Sequence, residues 1–152
     1  MKVALLDVNL LVALAWPSHI HHGTAHAWFA KGSRHGWATC PMTQCGFVRV
    51  SSNPSCIKDA VSPLEAMAVL RAIMAMPGHV FWEDEPSLQD ETLFSDFALG
   101  GHRQITDAYL LSLAVHRKGR LATLDHGLAS LAPKGSPACQ AVLWISSDER
   151  RR

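Results

Sequence analysis

Asp7 directly follows the apolar run Val3-Ala4-Leu5-Leu6, and Asp125 directly follows Leu121-Ala122-Thr123-Leu124. Short apolar runs of this kind read as buried strands. In an open parallel sheet, ligands bind at the carboxyl ends of the strands. Neighbouring strands lie about 5 Å apart, so two such carboxylates on adjacent strands share one small space. A third acid, Asp107, stands at the start of the most regular helical segment, Thr106 to Arg117. Thr106 is the expected N-cap there, with Ile105 and Leu110 as a hydrophobic staple. A carboxylate at that place faces the positive helix end, which favours its ionised form. Singly, each acid has an ordinary explanation as a turn or cap residue, and Asp125-His126-Gly127 is a turn sequence in its own right. Jointly they need either a proton on one of them or a divalent cation between them, because two carboxylates at about 4 Å repel by about 4 kcal/mol at an effective dielectric near 20. Oxygen donors without His or Cys at ligand spacing suit Mg²⁺ or Mn²⁺. The chemistry of such a site is activation of water against a phosphodiester.

The elements that must position these acids follow from periodicity and punctuation. Val3 to Leu6, Trp37 to Cys40, Val80 to Trp82, Leu121 to Leu124 and Ala141 to Ile145 are the predicted strands. Helices are predicted over Leu10 to Ala15, Ser18 to Lys31, Pro41 to about Ser51, Pro63 to Met74 and Thr106 to Arg117, with a short one after the acidic loop Glu83 to Glu91. Ile20, Ala25, Trp28 and Phe29 form the apolar stripe of the second helix, and Met67 and Met74 belong to the apolar side of the fourth. Alternating strands and helices imply an α/β domain, a mostly parallel sheet covered by helices on both faces in three layers. The expected organisation is one domain over residues 1–147 followed by a charged tail, 148–152.

Composition narrows the function classes. The chain has 152 residues, 48% of them hydrophobic, and a net charge of +1. No global field captures nucleic acid, so RNA contacts must come from local patches such as Arg117, Lys118 and Arg120, or Arg150-Arg151-Arg152. Cys40, Cys45, Cys56 and Cys139 form no C-x-x-C pair and read as reduced thiols of a cytosolic protein. Leu10 to Trp16 is apolar, but Asp7 and Asn9 interrupt the run, which makes a poor signal peptide and is too short for a membrane span. His22 and His26 stand one helical turn apart, yet no Glu or Cys accompanies the His19 to His26 tract, so ordinary polar-face residues are preferred to zinc ligands. No glycine-rich phosphate loop is present. The tryptophans are read as core and dimer anchors, and the acidic loop is expected away from an RNA-binding cleft.

At this point the residues match a family. Leu5-Leu6-Asp7-Val8-Asn9-Leu10-Leu11 resembles the opening strand of PIN domains, and Ile105-Thr106-Asp107-Ala108-Tyr109-Leu110-Leu111 resembles their acidic helix start. Ala122-Thr123-Leu124-Asp125 is similar to their late strand with its terminal Asp. Thr39-Cys40-Pro41, Gly46-Phe47-Val48-Arg49-Val50 and Asn53-Pro54, with His19, His22, Ala25 and Trp28, resemble a subgroup of VapC toxins. The likeness is ordered along nearly the whole chain. It implies a PIN-like fold and a cytoplasmic Mg²⁺-dependent endoribonuclease that cuts structured RNA such as tRNA or rRNA. It also implies a homodimer and a small antitoxin. Carried over by residue, Asp7, Asp107 and Asp125 hold the metal, with Asn9 and Thr123 orienting the carboxylates. The place where PIN nucleases usually carry a Glu holds Gln44, which removes one anion and weakens a second metal most. Arg49 and Arg117 are the candidate RNA contacts, Arg49 being equally readable as a solvated or ion-paired side chain.

Two other classes compete. One is a PIN-like binding module that holds RNA or a protein without cutting, favoured by Gln44. The other is a phosphatase or phospho-acceptor domain, which also carries an Asp at a strand end. A haloacid-dehalogenase-type enzyme needs a second Asp two residues later, where Asn9 stands. A receiver domain needs paired acids and a late-strand Lys that are not visible.

Overall fold

The structure, a computed structural model, describes residues 2–147; the charged tail 148–152 and its arginines lie outside the described residues. Five strands form one parallel sheet: β1 (Ala4–Leu6), β2 (Trp37–Thr39), β3 (His79–Phe81), β4 (Arg120–Thr123) and β5 (Val142–Trp144), in the order β3-β2-β1-β4-β5. β1 pairs with β2 through Ala4↔Trp37 and with β4 through Leu6↔Ala122. The seam between β1 and β4 is where the strand order reverses, so the two strands that end in acids are neighbours.

Seven α-helices cover the sheet: α1 (Val8–Ala15), α2 (His22–Gly32), α3 (Pro41–Ser51), α4 (Pro63–Met74), α5 (Glu91–Phe94), α6 (Ile105–His116) and α7 (Pro137–Ala141). Ala4, Leu6, Trp37 and Ala122 pack on one face against Leu10, Phe47, Ala66 and Leu70 of α1, α3 and α4. Leu5, Ala38 and Leu121 pack on the other against Leu110, Leu113 and Ala141 of α6 and α7. Burial on both faces explains why the central strands are continuous apolar runs without alternation. The three-layer α/β/α fold is as expected. No helix among the described residues is long and apolar enough to cross a membrane.

Local chemistry sets the helix starts. Pro41 and Pro63 occupy the first turns of α3 and α4, where a missing N–H costs nothing. The Cys40 N–H donates to Thr43 Oγ1 at 2.9 Å, and Ser62 Oγ accepts from the Glu65 N–H at 3.2 Å. Gly46 lets α3 approach α1, because a Cβ there would lie 2.6 Å from a Val8 methyl.

Several expectations need correction. α1 begins at Val8, two residues early, because Asp7 caps it. α2 begins at His22, so Ile20 precedes the helix and is 88% exposed instead of joining its stripe. α6 begins at Ile105, which puts Thr106 inside the helix, leaves no side-chain cap and removes the staple frame. β3 begins at His79, one residue early. Met67 is exposed, and Ala66 and Leu70 carry the buried side of α4. α7 was not foreseen; Ser136 caps its five residues.

Candidate active site

Asp7 ends β1, and its N–H donates to the Ala122 carbonyl at 2.9 Å, so the β1–β4 ladder runs into the site. The side chain is only 7% exposed. Oδ1 accepts from the Val8 N–H at 2.7 Å, the cap of α1, and Oδ2 accepts from the Thr123 hydroxyl at 2.8 Å. Thr123 Oγ1 in turn accepts from the Asp125 N–H at 3.0 Å. One hydroxyl thus ties the ends of both acid-bearing strands together. The exposed Asp125 also accepts from the Gly127 N–H at 2.9 Å, so it is a turn residue as well as a candidate site residue.

Asp107 comes from α6, on the sheet face opposite α1. It stands in the first turn, half-buried, and no hydrogen bond to its carboxylate occurs among the described residues. Burial, and then the charges of Asp7 and Asp125, push its carboxyl from 3.8 up to about 6. The expectation that the helix end would favour ionisation is overturned: desolvation and two neighbouring anions outweigh a macrodipole contribution of about 0.3–1 kcal/mol. Burial also raises the Asp7 carboxyl, against the Thr123 and Val8 hydrogen bonds that lower it, with the Asp125 charge raising it further. The charges of Asp7 and Asp125 thus act on Asp107, and that of Asp125 on Asp7.

The remaining candidates are distributed unevenly. Gln44, one turn into α3, donates its amide to Thr39 Oγ1 at 3.0 Å and to Met74 Sδ at 3.3 Å, and no hydrogen bond among the described residues joins it to the aspartates. Asn9 is exposed and lines a groove with Asp125, without a hydrogen bond to either acid among the described residues. Arg49 is exposed in the last turn of α3. Arg117 caps the end of α6, about 15 Å along the helix from Asp107 at 1.5 Å per residue, and pairs with Glu85 at 2.6 Å. Its partnership with the acidic loop takes it out of the cleft. Within the acidic loop, Glu85 reaches the far end of α6 and also meets His116, whereas Asp84 lies beside Cys40 at the carboxyl end of β2, so only part of the loop stands away from that end of the sheet. The four cysteines are free, and burial pushes the Cys40 thiol up to about 11, so it is no nucleophile at neutral pH. His22 and His26 contact the Ala13 and Leu14 carbonyls at the end of α1, a structural role in place of a zinc site.

The donor set tests the metal. Among the described residues no three His, Cys, Asp or Glu side chains already enclose a space fit for an ion. The donors themselves fit Mg²⁺ or Mn²⁺: all are carboxylate oxygens, two are held by hydrogen bonds that leave lone pairs free, and the third has no protein partner described. Burial first, and neighbouring anions after it, raise the Asp7 and Asp107 carboxyl groups. The sequence reasoning did not foresee the loop residues Ile57 and Lys58 beside Asp125, because nothing in their spacing signals a site.

No family model matches the chain. Ribonuclease VapC39 of Mycobacterium tuberculosis is 45% identical over 132 residues, which covers 87% of this chain and 95% of that protein. Ribonuclease VapC38 of the same organism is 50% identical over 130 residues, covering 86% and 90%. Ribonuclease VapC44 is 40% identical over 133 residues, covering 88% and 93%. Among solved structures, the Mycobacterium tuberculosis VapC20, described as a toxin that cleaves the sarcin-ricin loop, superposes with a TM-score of 0.61 at 12% identity, covering 86% of this chain and 99% of that one. VapBC2 of Rickettsia felis, bound to a promoter DNA fragment, gives 0.58 at 11%, covering 85% and 92%. At those identities the structures speak for the fold alone.

Proposed function

Because the chain belongs to the VapC ribonucleases, the toxins of toxin–antitoxin pairs, we propose that it is a Mg²⁺-dependent endoribonuclease cutting structured RNA, tRNA or rRNA, and silenced by a small antitoxin. The observation that carries this reading is the placement of Asp7 and Asp125 just beyond the carboxyl ends of the neighbouring strands β1 and β4, tied together through Thr123, with Asp107 in the first turn of α6. A divalent ion, Mg²⁺ or in its place Mn²⁺, supplies the counter-charge and lowers the pKa of water for attack on the phosphodiester. Asp7, Asp107 and Asp125 are the residues that would hold it. Thr123 orients Asp7 and Asp125 through the two hydrogen bonds it makes. Gln44 supplies no charge, so the site holds one ion more strongly than two. A homodimer and a cytoplasmic location complete the reading.

The test is cleavage of a tRNA or rRNA fragment with Mg²⁺, with EDTA, and by Asp7→Asn. Cleavage by wild type only with the metal is expected. Cleavage that survives EDTA or Asp7→Asn would remove the three acids from the mechanism. The alternative, a PIN-like module that binds RNA or protein without cutting, rests on Gln44 and predicts RNA binding by wild type with no cleavage at any metal concentration.

A further inference from the structure

A groove of about 540 Å³ opens beside Asp125 and Asn9 and runs between the end of α1 and the loop after α3. That volume lies within the roughly 300–1,000 Å³ of small-molecule sites. Its walls are apolar and rigid on one side. Trp16 stacks on Phe47 with ring planes 10° apart and donates its indole N–H to Ser51 Oγ at 2.9 Å, so the ring is fixed before anything binds. Ile20 stands at the rim almost fully in solvent, an unusual place for a large aliphatic side chain, and Ile57 lies inside. Asn9, Ser18, His19, His21, Lys58 and Asp125 share the lining with these apolar groups. His19 Nδ1 accepts from the His21 N–H at 3.1 Å, so its proton sits on Nε2, a donor. Burial and the neighbouring His21 and His22 hold His19 below its ordinary pKa, which keeps the ring neutral near pH 7. Lys58 is the groove's cation, at exposed backbone beyond Ile57.

We propose that this groove receives one unpaired nucleobase of the RNA strand next to the scissile phosphate, with Lys58 on its phosphate, and so selects where the chain cuts. Sequence-specific RNA recognition works on bases splayed out of a helix, stacked on side chains and read at their edges by hydrogen bonds. The groove offers both an apolar wall and edge-reading groups, Asn9 and His19, and its lining includes Asp125 of the acidic set. The inference rests on the ribonuclease reading and deepens it.

Cys56 is exposed and lines the same groove, which makes it a reporter. The experiment measures the alkylation rate of Cys56, resolved by mass spectrometry from Cys45, in Asp7→Asn with Mg²⁺. The probe is a single-stranded RNA dodecamer of mixed sequence, with the matching duplex as control. The single strand should slow alkylation severalfold and the duplex should not. Ile20→Asp together with His19→Ala should weaken single-strand binding roughly tenfold and leave Mn²⁺ affinity unchanged in wild-type background. RNA binding without protection of Cys56, or equal protection by the duplex, overturns the inference alone and leaves the groove to a protein partner. Protection of Cys56 with no cleavage by wild type sustains the inference and fails the reading beneath it. Absence of RNA binding overturns both.

Discussion

Replacing Asp7 by Asn should abolish cleavage while the protein stays folded, because Asn is as good an N-cap as Asp: its Oδ1 can still accept from the Val8 N–H, and its Nδ2 can donate to Thr123 Oγ1 in place of the bond that the carboxylate accepts from that hydroxyl. Asp7→Ala should lose activity and also about 1 kcal/mol of stability through the missing cap, readable by urea titration. Equal stability of the two variants would show that the cap matters little. Asp107 behaves differently. Its carboxyl sits at about 6 in the fold against 3.8 unfolded, so its stabilising contribution is complete below 3.8 and lost as pH rises through about 6. At pH 7.5 without metal its charge is a net cost. Asp107→Asn should therefore melt higher than wild type there, by about 1 kcal/mol once solvent screening of a half-exposed group is allowed for. The gain should vanish near pH 4, and Mg²⁺ should raise the melting temperature of wild type only. A variant that melts no higher at pH 7.5 would mean that the acids do not strain one another. Thr123→Val should weaken Mn²⁺ binding by about 10–100-fold, the usual cost of an outer hydrogen-bond partner; unchanged calorimetric affinity would exclude that role. As candidates, Asp7 and Asp125 were legible because an Asp after an apolar run is visible in one dimension, and Asp107 because it opens a regular helical segment. The Asp7 cap was not, because Val8-Asn9 carries no apolar-period signal. Nor was the Asp107 pKa, which depends on burial in the fold and on Asp7, brought from 100 residues away, and Asp125.

At the scale of elements, α6 shows how a correct helix can carry a wrong frame. Ile105 and Thr106 looked like flanking and capping residues, but a short turn over His102–Gln104 leads directly into the helix and places both inside it. The other end has a local chemistry of its own. Arg117, offered as an RNA contact, belongs to a helix stop built on Lys118, whose φ of 56° is left-handed. The Gly119 N–H reaches the Ala114 carbonyl at 2.8 Å and the Lys118 N–H reaches Val115 at 3.0 Å, a Schellman closure. Lys118→Gly should stabilise the protein by up to about 1 kcal/mol, since only glycine adopts that backbone freely. Gly119→Ala should destabilise it, because its Cβ would lie 2.7 Å from the Val3 carbonyl and 2.5 Å from the Trp82 ring. Arg117→Ala should leave RNA cleavage unchanged and move stability by no more than about 1 kcal/mol, the worth of an exposed ion pair. A loss of RNA affinity in that variant would return Arg117 to the binding surface.

At the scale of the molecule, strand existence was readable but strand order was not. Apolar runs tell which segments are buried, whereas the neighbour of β1 is chosen by how helices share the two faces. The order β3-β2-β1-β4-β5 divides the chain cleanly. β1, β2 and β3, with Asp7, lie on one side of the seam and β4 and β5, with Asp125 beyond β4, on the other, while α6, which carries Asp107, packs across it against Leu5 and Ala38; the loop from β3 to α5 connects the two halves. That loop carries Leu88 exposed to solvent, where breaks in a chain are best tolerated. A toxin severed there would come apart into two harmless pieces, each owning part of the acid set and one half of the groove for the ion. Cells making residues 1–88 or 89–152 alone should grow normally, and cells making both should stop if the halves reassemble along β1 and β4.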